Sequence, residues 1–288
     1  MGKLPNFLII GAQKSGTTSL YEYLRQHPQV FMSPVKEPHF FTYEGEPPPS
    51  PDMVTDWFTY QQLFSAAKEH HIAIGEASPS YLHAEHVPER IAHYLPEVRL
   101  IAILRHPAER AFSNWVHNVR NGREHLSFCE ALAAEDDRIR QGYSYAFWYK
   151  YKGFYYRHLS RYMTLFPRER ICVYLFDDLR QQPLALLRDV FTFLGVDPDF
   201  QPRLARHNVS GIPKGVVGKV FSRLRKSRAL REVVKKSVPE SIRAQIRSRI
   251  LVRPQMAEDV RQSLIALYRE DILRLQDFLN RDLSHWLR

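Results

Sequence analysis

Residues 7–20, FLIIGAQKSGTTSL, constrain this chain more than any other stretch. The first half is an apolar run short enough for one buried strand. The second half is a glycine-bounded, hydroxyl-rich turn that opens a helix. A strand passing through such a turn into a helix N-terminus presents free backbone N–H groups and the positive helix end, a cradle for phosphate. The spacing Gly11-x4-Gly16 begins like a P-loop, but the lysine expected after the second glycine is missing. Thr17 and Thr18 stand there, and the cation sits inside the turn as Lys14. From that place it reaches a different oxygen of a bound nucleotide.

The rest of the chain repeats the alternation. Residues 30–32, 72–78, 99–104 and 170–176 read as strands. Their apolar runs are continuous rather than alternating, the pattern of a parallel sheet covered on both faces. Helical spacing covers residues 17–26, 56–68, 88–94, 108–120, 128–140, 147–166 and 184–194, and a last helix runs from Pro254 to about Asn280. Strands alternating with helices predict an α/β fold with right-handed crossovers. The expected architecture is P-loop-like and three-layered, a central parallel sheet flanked by helices with a C-terminal helical extension. A length of 288 residues with 44% apolar content suits one domain over residues 1–288, with 214–253 a basic helical segment and 254–288 helices packed on the core.

A second anion signature follows the 99–104 strand: Arg105-x-Pro107-x-x-Arg110-Ala111-x-Ser113. Arg105 lies at a strand's carboxyl end, where open α/β sheets bind ligands. Ser113 falls about two helical turns on. A guanidinium fork and a hydroxyl suit one phosphate group. Together the two signatures resemble those of the sulfotransferases that use 3′-phosphoadenosine 5′-phosphosulfate (PAPS). The resemblance implies that Lys14 binds the oxygen bridging phosphate and sulfate and stabilises its charge as that bond breaks. It implies that Ser15, Gly16, Thr17, Thr18 and Ser19 hold the 5′-phosphate, and that Arg105 and Ser113 hold the 3′-phosphate, with Lys214 and Gly215 closing over it. Arg110 is expected to be a structural salt-bridge partner.

Residues 36–41, KEPHFF, are similar to the heparan-type glycosaminoglycan sulfotransferases. That resemblance implies Glu37 as general base, for which a raised pKa would suit. The competing reading pairs Glu37 with Lys36 at the surface. His39 is the rival base, since cytosolic sulfotransferases use a histidine. Lys36, Glu37, His39 and Phe40, with Ser78, Pro79, Ser80 and Tyr81, form the expected acceptor side. Relatives carry Lys-Thr before Pro-Ser-Tyr, whereas this chain has Ala77-Ser78. With Glu76 adding negative charge, a neutral or cationic acceptor is at least as plausible as an acidic glycan. The reaction implied is sulfuryl transfer to a hydroxyl, less readily an amine, on a sugar, lipid, polyketide-like chain or small metabolite. A P-loop kinase or a non-enzymatic polyanion-binding protein is the alternative. No metal is expected, because the sequence shows neither metal-type Cys/His spacing nor an evident carboxylate metal site, and Lys14 and Arg105 offset the charge.

The net charge of +10 is concentrated in one place. Residues 214–253 hold 13 Lys and Arg against Glu232 and Glu240, a local excess of +11 that leaves the remainder at −1. Val216, Val217, Val220, Phe221 and Leu224 give that segment an apolar stripe. It reads either as a solvated helical face or as a contact with an anionic membrane surface. Nucleic acid is not an expected partner. Cys129 and Cys172 are far apart, which suits free thiols in a reducing compartment. The first residues are expected to lead straight into a strand, so no signal peptide is expected. The expected location is cytoplasmic, with peripheral membrane contact left open.

Overall fold

The apolar runs become five parallel strands in a computed structural model that describes residues 3–47, 50, 53–204, 212–213, 251–252 and 254–288. These are β1 (Phe7–Gly11), β2 (Val30–Met32), β3 (Ala73–Ala77), β4 (Arg99–Leu104) and β5 (Ile171–Leu175). They lie side by side in the order β2-β3-β1-β4-β5. Phe7 is in register with Gly75 of β3 on one side and Arg99 of β4 on the other. Successive side chains alternate between two cores. Leu8, Ile10, Leu100, Ala102 and Leu104 point to one face, and Phe7, Ile9, Ile101 and Ile103 to the other. Both faces are covered, which is why these strands read as unbroken apolar runs.

Helix α1 (Thr17–Leu24) follows β1 and packs Leu20 and Leu24 on the second face. After α2 (Phe40–Tyr43), α3 (Trp57–Gln62) and α4 (Val87–Tyr94), helix α5 (Pro107–Arg120) follows β4 and packs Ala108 and Ala111 on the first. The connections leaving β1 and β4, which are neighbours, therefore run to opposite faces. That divergence opens a crevice beyond their carboxyl ends, the place where open α/β sheets bind ligands.

The longest expected helices are broken. The 128–140 run divides at Ala134 into α6 (Phe128–Ala133) and α7 (Glu135–Arg140). The 147–166 run is helical only as α8 (Tyr155–Met163), after two 3₁₀ turns at Tyr145–Phe147 and Tyr151–Gly153. Beyond β5 come α9 (Phe176–Gln181) and α10 (Pro183–Leu194). Ile212–Pro213 pairs antiparallel with Leu251–Val252.

The final helix, Glu258–Leu279, crosses α8 and α5. Its Asp271 carboxylate accepts from the Tyr156 and Arg157 N–H groups, both at 3.0 Å, and so caps the otherwise uncapped start of α8. Asn280 then ends it in the left-handed conformation, and Trp286 docks fully buried. The apolar stripe expected at 216–224, and the basic segment around it apart from Leu251 and Val252, lie outside the described residues. Among those described, no helix is long and apolar enough to cross a membrane.

Candidate active site

The turn after β1 is held open by its backbone. Lys14 has φ 70° and Gly16 has φ 99°. A Cβ on Gly16 would come within 2.9 Å of Leu179 and 3.0 Å of Phe176, so glycine is required there on both conformational and steric grounds. Gly16 is also the N-cap of α1, with no side-chain cap and no acidic residue in the first turn. The first N–H groups of α1, over Thr17, Thr18 and Ser19, are thus left for an anion. Those three residues line a cleft of ≈ 290 Å³ together with Gln13, Lys14 and Gly16. Ser15 is fully buried and does not line it.

The opposite wall comes from β4 and α5. Arg105, at the end of β4, reaches the cleft with its guanidinium 5.2 Å from the Phe176 ring centre and 3.6 Å from Glu109. The Tyr155 hydroxyl donates to the Arg105 carbonyl at 2.8 Å and pins the strand end. Ser113, His117 and Arg120 follow at helical spacing on the face of α5 that looks into the same space. Arg110 points the other way and is fully buried. The expected salt bridge is not what holds it: it donates to the Tyr149 carbonyl, and among the described residues no carboxylate pairs with it. A peptide carbonyl serves a buried guanidinium without burying a second charge.

Lys14 Nζ lies 3.4 Å from Nδ1 of His117, and an Arg120 nitrogen lies 3.2 Å from the same atom. Two cationic donors face that nitrogen, so it must accept, and the ring proton sits on Nε2. The Asn121 side-chain amide is 2.9 Å from Nε2 and must turn its oxygen to it. Burial, with Lys14 and Arg120 alongside, lowers the His117 pKa to about 3 and keeps the ring neutral. Burial likewise lowers Lys14 to about 8, helped by Arg120 and opposed by Glu37.

The third wall carries the acidic group. Four non-glycine residues among those described have positive φ, and three of them are Lys14, Glu37 and His39. Such strain is held only where surrounding structure fixes it, and it clusters at working sites. Here the fixing is visible. The Glu37 N–H bonds the Ala77 carbonyl at 3.1 Å, and the His39 N–H bonds Ser78 Oγ at 3.0 Å.

Glu37 lines the cleft, about a third exposed, paired to Lys36 on one oxygen and 3.6 Å from His39 Nε2 on the other. Burial works to raise its pKa, but the His39 hydrogen bond and the Lys36 charge outweigh it and hold the carboxyl at about 2. The raised value that would suit a base is therefore reversed by its two neighbours. His39 Nδ1 is in turn 2.7 Å from Ser80 Oγ, which also meets Thr42 Oγ1 at 2.9 Å. Both ring nitrogens of His39 are thus engaged.

The other expected acceptor residues divide between the cleft and the core. Pro79 lines the cleft. Phe40 is fully buried, stacked 4.7 Å from Tyr60. Tyr81 is fully buried. Ser78 is buried too, its hydroxyl donating to Glu76 at 2.9 Å. Glu76 does not face the acceptor side: it is fully buried, takes a second hydrogen bond from Tyr60 at 3.3 Å, and burial lifts its pKa to about 7. Lys214 and Gly215 lie outside the described residues. Sequence reading passed over Gln13, His117, Arg120 and Phe176. His117 and Arg120 stand four and seven residues after Ser113, a spacing that marks them as its helical neighbours. Among the described residues no group of three or more metal-ligating side chains is assembled.

Residues 4–272 match the family model of the sulfotransferase domain. The human bifunctional heparan sulfate N-deacetylase/N-sulfotransferase 2 is 31% identical over 205 residues, which is 68% of this chain and 22% of that protein. The human heparan sulfate glucosamine 3-O-sulfotransferase 5 is 31% identical over 215 residues, 72% of this chain and 57% of that one. The chain thus spans only part of these curated relatives. The crystal structure of a sulfotransferase from Alicyclobacillus acidocaldarius superposes with TM-score 0.78 at 32% identity, covering 99% of this chain and 100% of the other.

Proposed function

The chain belongs to the sulfotransferase family, and from that premise we propose that it moves the sulfuryl group of PAPS onto an acceptor hydroxyl by in-line displacement, leaving adenosine 3′,5′-bisphosphate. The observation that carries this reading is convergence. Lys14, Glu37, Arg105 and Ser113 come from three separate stretches of sequence and open into one cleft. The residues fit a doubly phosphorylated adenosine. The uncapped α1 N-terminus with Lys14 suits the 5′ end, and Arg105 with Ser113 suits the 3′-phosphate.

In this reading Glu37 takes the proton of the acceptor hydroxyl as its oxygen attacks sulfur. The bond from sulfur to the bridging oxygen breaks, its electron pair stays on the 5′-phosphate, and Lys14 stabilises the charge that gathers there. His39 is a positioning residue. With Nδ1 on Ser80 and Nε2 toward Glu37, it offers the acceptor no free lone pair and instead orients the carboxylate. The acceptor is a hydroxyl-bearing molecule, and sugars, lipids, polyketide-like chains and small metabolites all meet that requirement. Residues 1–288 would act as one catalytic unit.

A melting-shift comparison tests the donor. Adenosine 3′,5′-bisphosphate at 100 times its Kd should stabilise the protein by about 2.7 kcal/mol. ATP with magnesium should do less, because the P-loop lysine it needs is replaced by Thr17. Equal or greater stabilisation by ATP would overturn the reading.

The pH dependence follows from Lys14. It must be cationic, and its pKa in the free protein is lowered to about 8. The charge is present below that value and lost as pH rises through it. kcat/KM for PAPS, which reports free-enzyme ionisations, should therefore fall above pH about 8. Lys14→Arg, charged throughout this range, should abolish that limb at a lower plateau. A flat wild-type profile to pH ~10, near the ordinary lysine value, would exclude Lys14 as the group.

A further inference from the structure

Lys152 sits below the cleft floor, 2% exposed. Three acceptors converge on its Nζ: Gln13 Oε1 at 2.7 Å, Asn114 Oδ1 at 2.6 Å and the Tyr145 carbonyl at 2.8 Å. An ammonium has three N–H donors, one for each; a neutral amine has two. Burial, and Arg110 nearby, press this group to lose its proton, with the more distant Glu135 carboxylate opposing them. The cage around it is nonetheless the one a charged head requires. Among the described residues no carboxylate lies within ion-pair distance of Lys152, so three dipoles solvate the charge without neutralising it.

Two of the acceptors belong to the elements that form the cleft. Gln13 precedes Lys14 in the turn after β1 and lines the cleft itself. Asn114 follows Ser113 on α5. The third, Tyr145, begins a segment that is itself clamped. The Glu135 carboxylate accepts from the N–H groups of Tyr149, Lys150 and Tyr151 at 2.6–2.8 Å. The side chains of Asn114 and Asn118 both donate to the Ala146 carbonyl, at 3.1 and 2.7 Å. Lys152 therefore joins the 5′ and 3′ walls to each other and to a rigid abutment behind them.

We propose that Lys152 is a positioning residue that fixes the separation of the two anion sites, by tying Gln13 to Asn114, so that both grip one doubly phosphorylated nucleotide at once. A ligand with two charged ends gains from the second site only when the sites stand at its own span. A site loosened by an ångström gives much of that gain back. A positive charge held beneath the cleft without an ion-pair partner acts in the same direction, favouring an anion above it. This inference rests on the donor assignment above.

Calorimetric titration of wild type, Lys152→Met and Gln13→Ala with adenosine 3′,5′-bisphosphate, adenosine 5′-monophosphate and adenosine 3′-monophosphate tests it. Wild type should prefer the bisphosphate to either monophosphate. Lys152→Met should shrink that preference roughly ten-fold, a coupling of the size found between side chains in one network. Gln13→Ala should shrink it similarly, and the double variant no further than either single change. A merely structural lysine would lower the melting temperature and scale all three affinities by one factor, leaving the preference intact; that result overturns the proposal. Should Lys152→Met fail to fold, Gln13→Ala decides on the same ratio, since its side chain stands at the cleft wall. Equal wild-type affinities for all three nucleotides would sink the donor assignment and this coupling with it. A wild-type preference that persists unchanged in both variants would sink the coupling alone.

Discussion

Glu37→Gln should abolish turnover, with kcat down by roughly 10³-fold, in the range that a positioned general base contributes. Affinity for adenosine 3′,5′-bisphosphate should stay within about two-fold, because the substitution removes a proton acceptor and none of the groups assigned to the nucleotide. The amide keeps the shape of the carboxylate and can still meet His39, so the expected loss is chemical rather than structural. The low pKa of Glu37, about 2, adds a second expectation. The carboxylate is ionised throughout the working range, so its titration produces no acid limb near neutrality. Transfer of labelled sulfuryl groups to an acceptor pool, read by mass, measures the first effect. Turnover in Glu37→Gln within ten-fold of wild type would move the base role to His39, and His39→Asn would then show the larger loss.

Lys14→Ala should lower kcat by about 10²- to 10³-fold, the usual cost of removing one donor from a site of developing negative charge. Its effect on binding should be smaller. The α1 N-terminus and the Arg105–Ser113 pair remain, and in the proposed mechanism Lys14 acts on charge that develops only as the sulfur–oxygen bond breaks. The substitution also frees His117, which loses the charge that, after burial, does most to hold its ring neutral, and it should take a proton more readily. Single-turnover kinetics with saturating PAPS separate this chemical loss from weaker binding. A variant that turns over within a few-fold of wild type would mean that Lys14 does not stabilise the charge developing in transfer.

The local parts of this site could be read directly from the chain. The strand, turn and helix of residues 7–24 are contiguous, and their phosphate geometry follows from backbone conformation alone. Arg105 and Ser113 are joined by a strand end and two helical turns, a distance that sequence spacing fixes. The unbroken apolar runs gave the parallel, doubly covered sheet for the same reason, since burial on two faces leaves no polar alternation. The breaks in the 128–140 and 147–166 runs could not be read this way. They follow from buried contacts such as those of Glu135 and Asp271, which bind backbone N–H groups in segments up to 115 positions away.

What sequence by itself determined is therefore the sheet, the glycine-bounded turn that opens α1 and the identity of the charged groups at two strand ends. Only the tertiary structure decided how those charges are spent. It buried Glu76 behind Ser78, drew Glu37 to a low pKa between Lys36 and His39, set His117 against Lys14, and placed Lys152 between Gln13 and Asn114. Spacing along the chain sets which groups can meet within a turn or a helix. The ionisation and direction of a side chain depend on solvent exclusion and on partners brought from distant segments, and those exist only once the chain has folded.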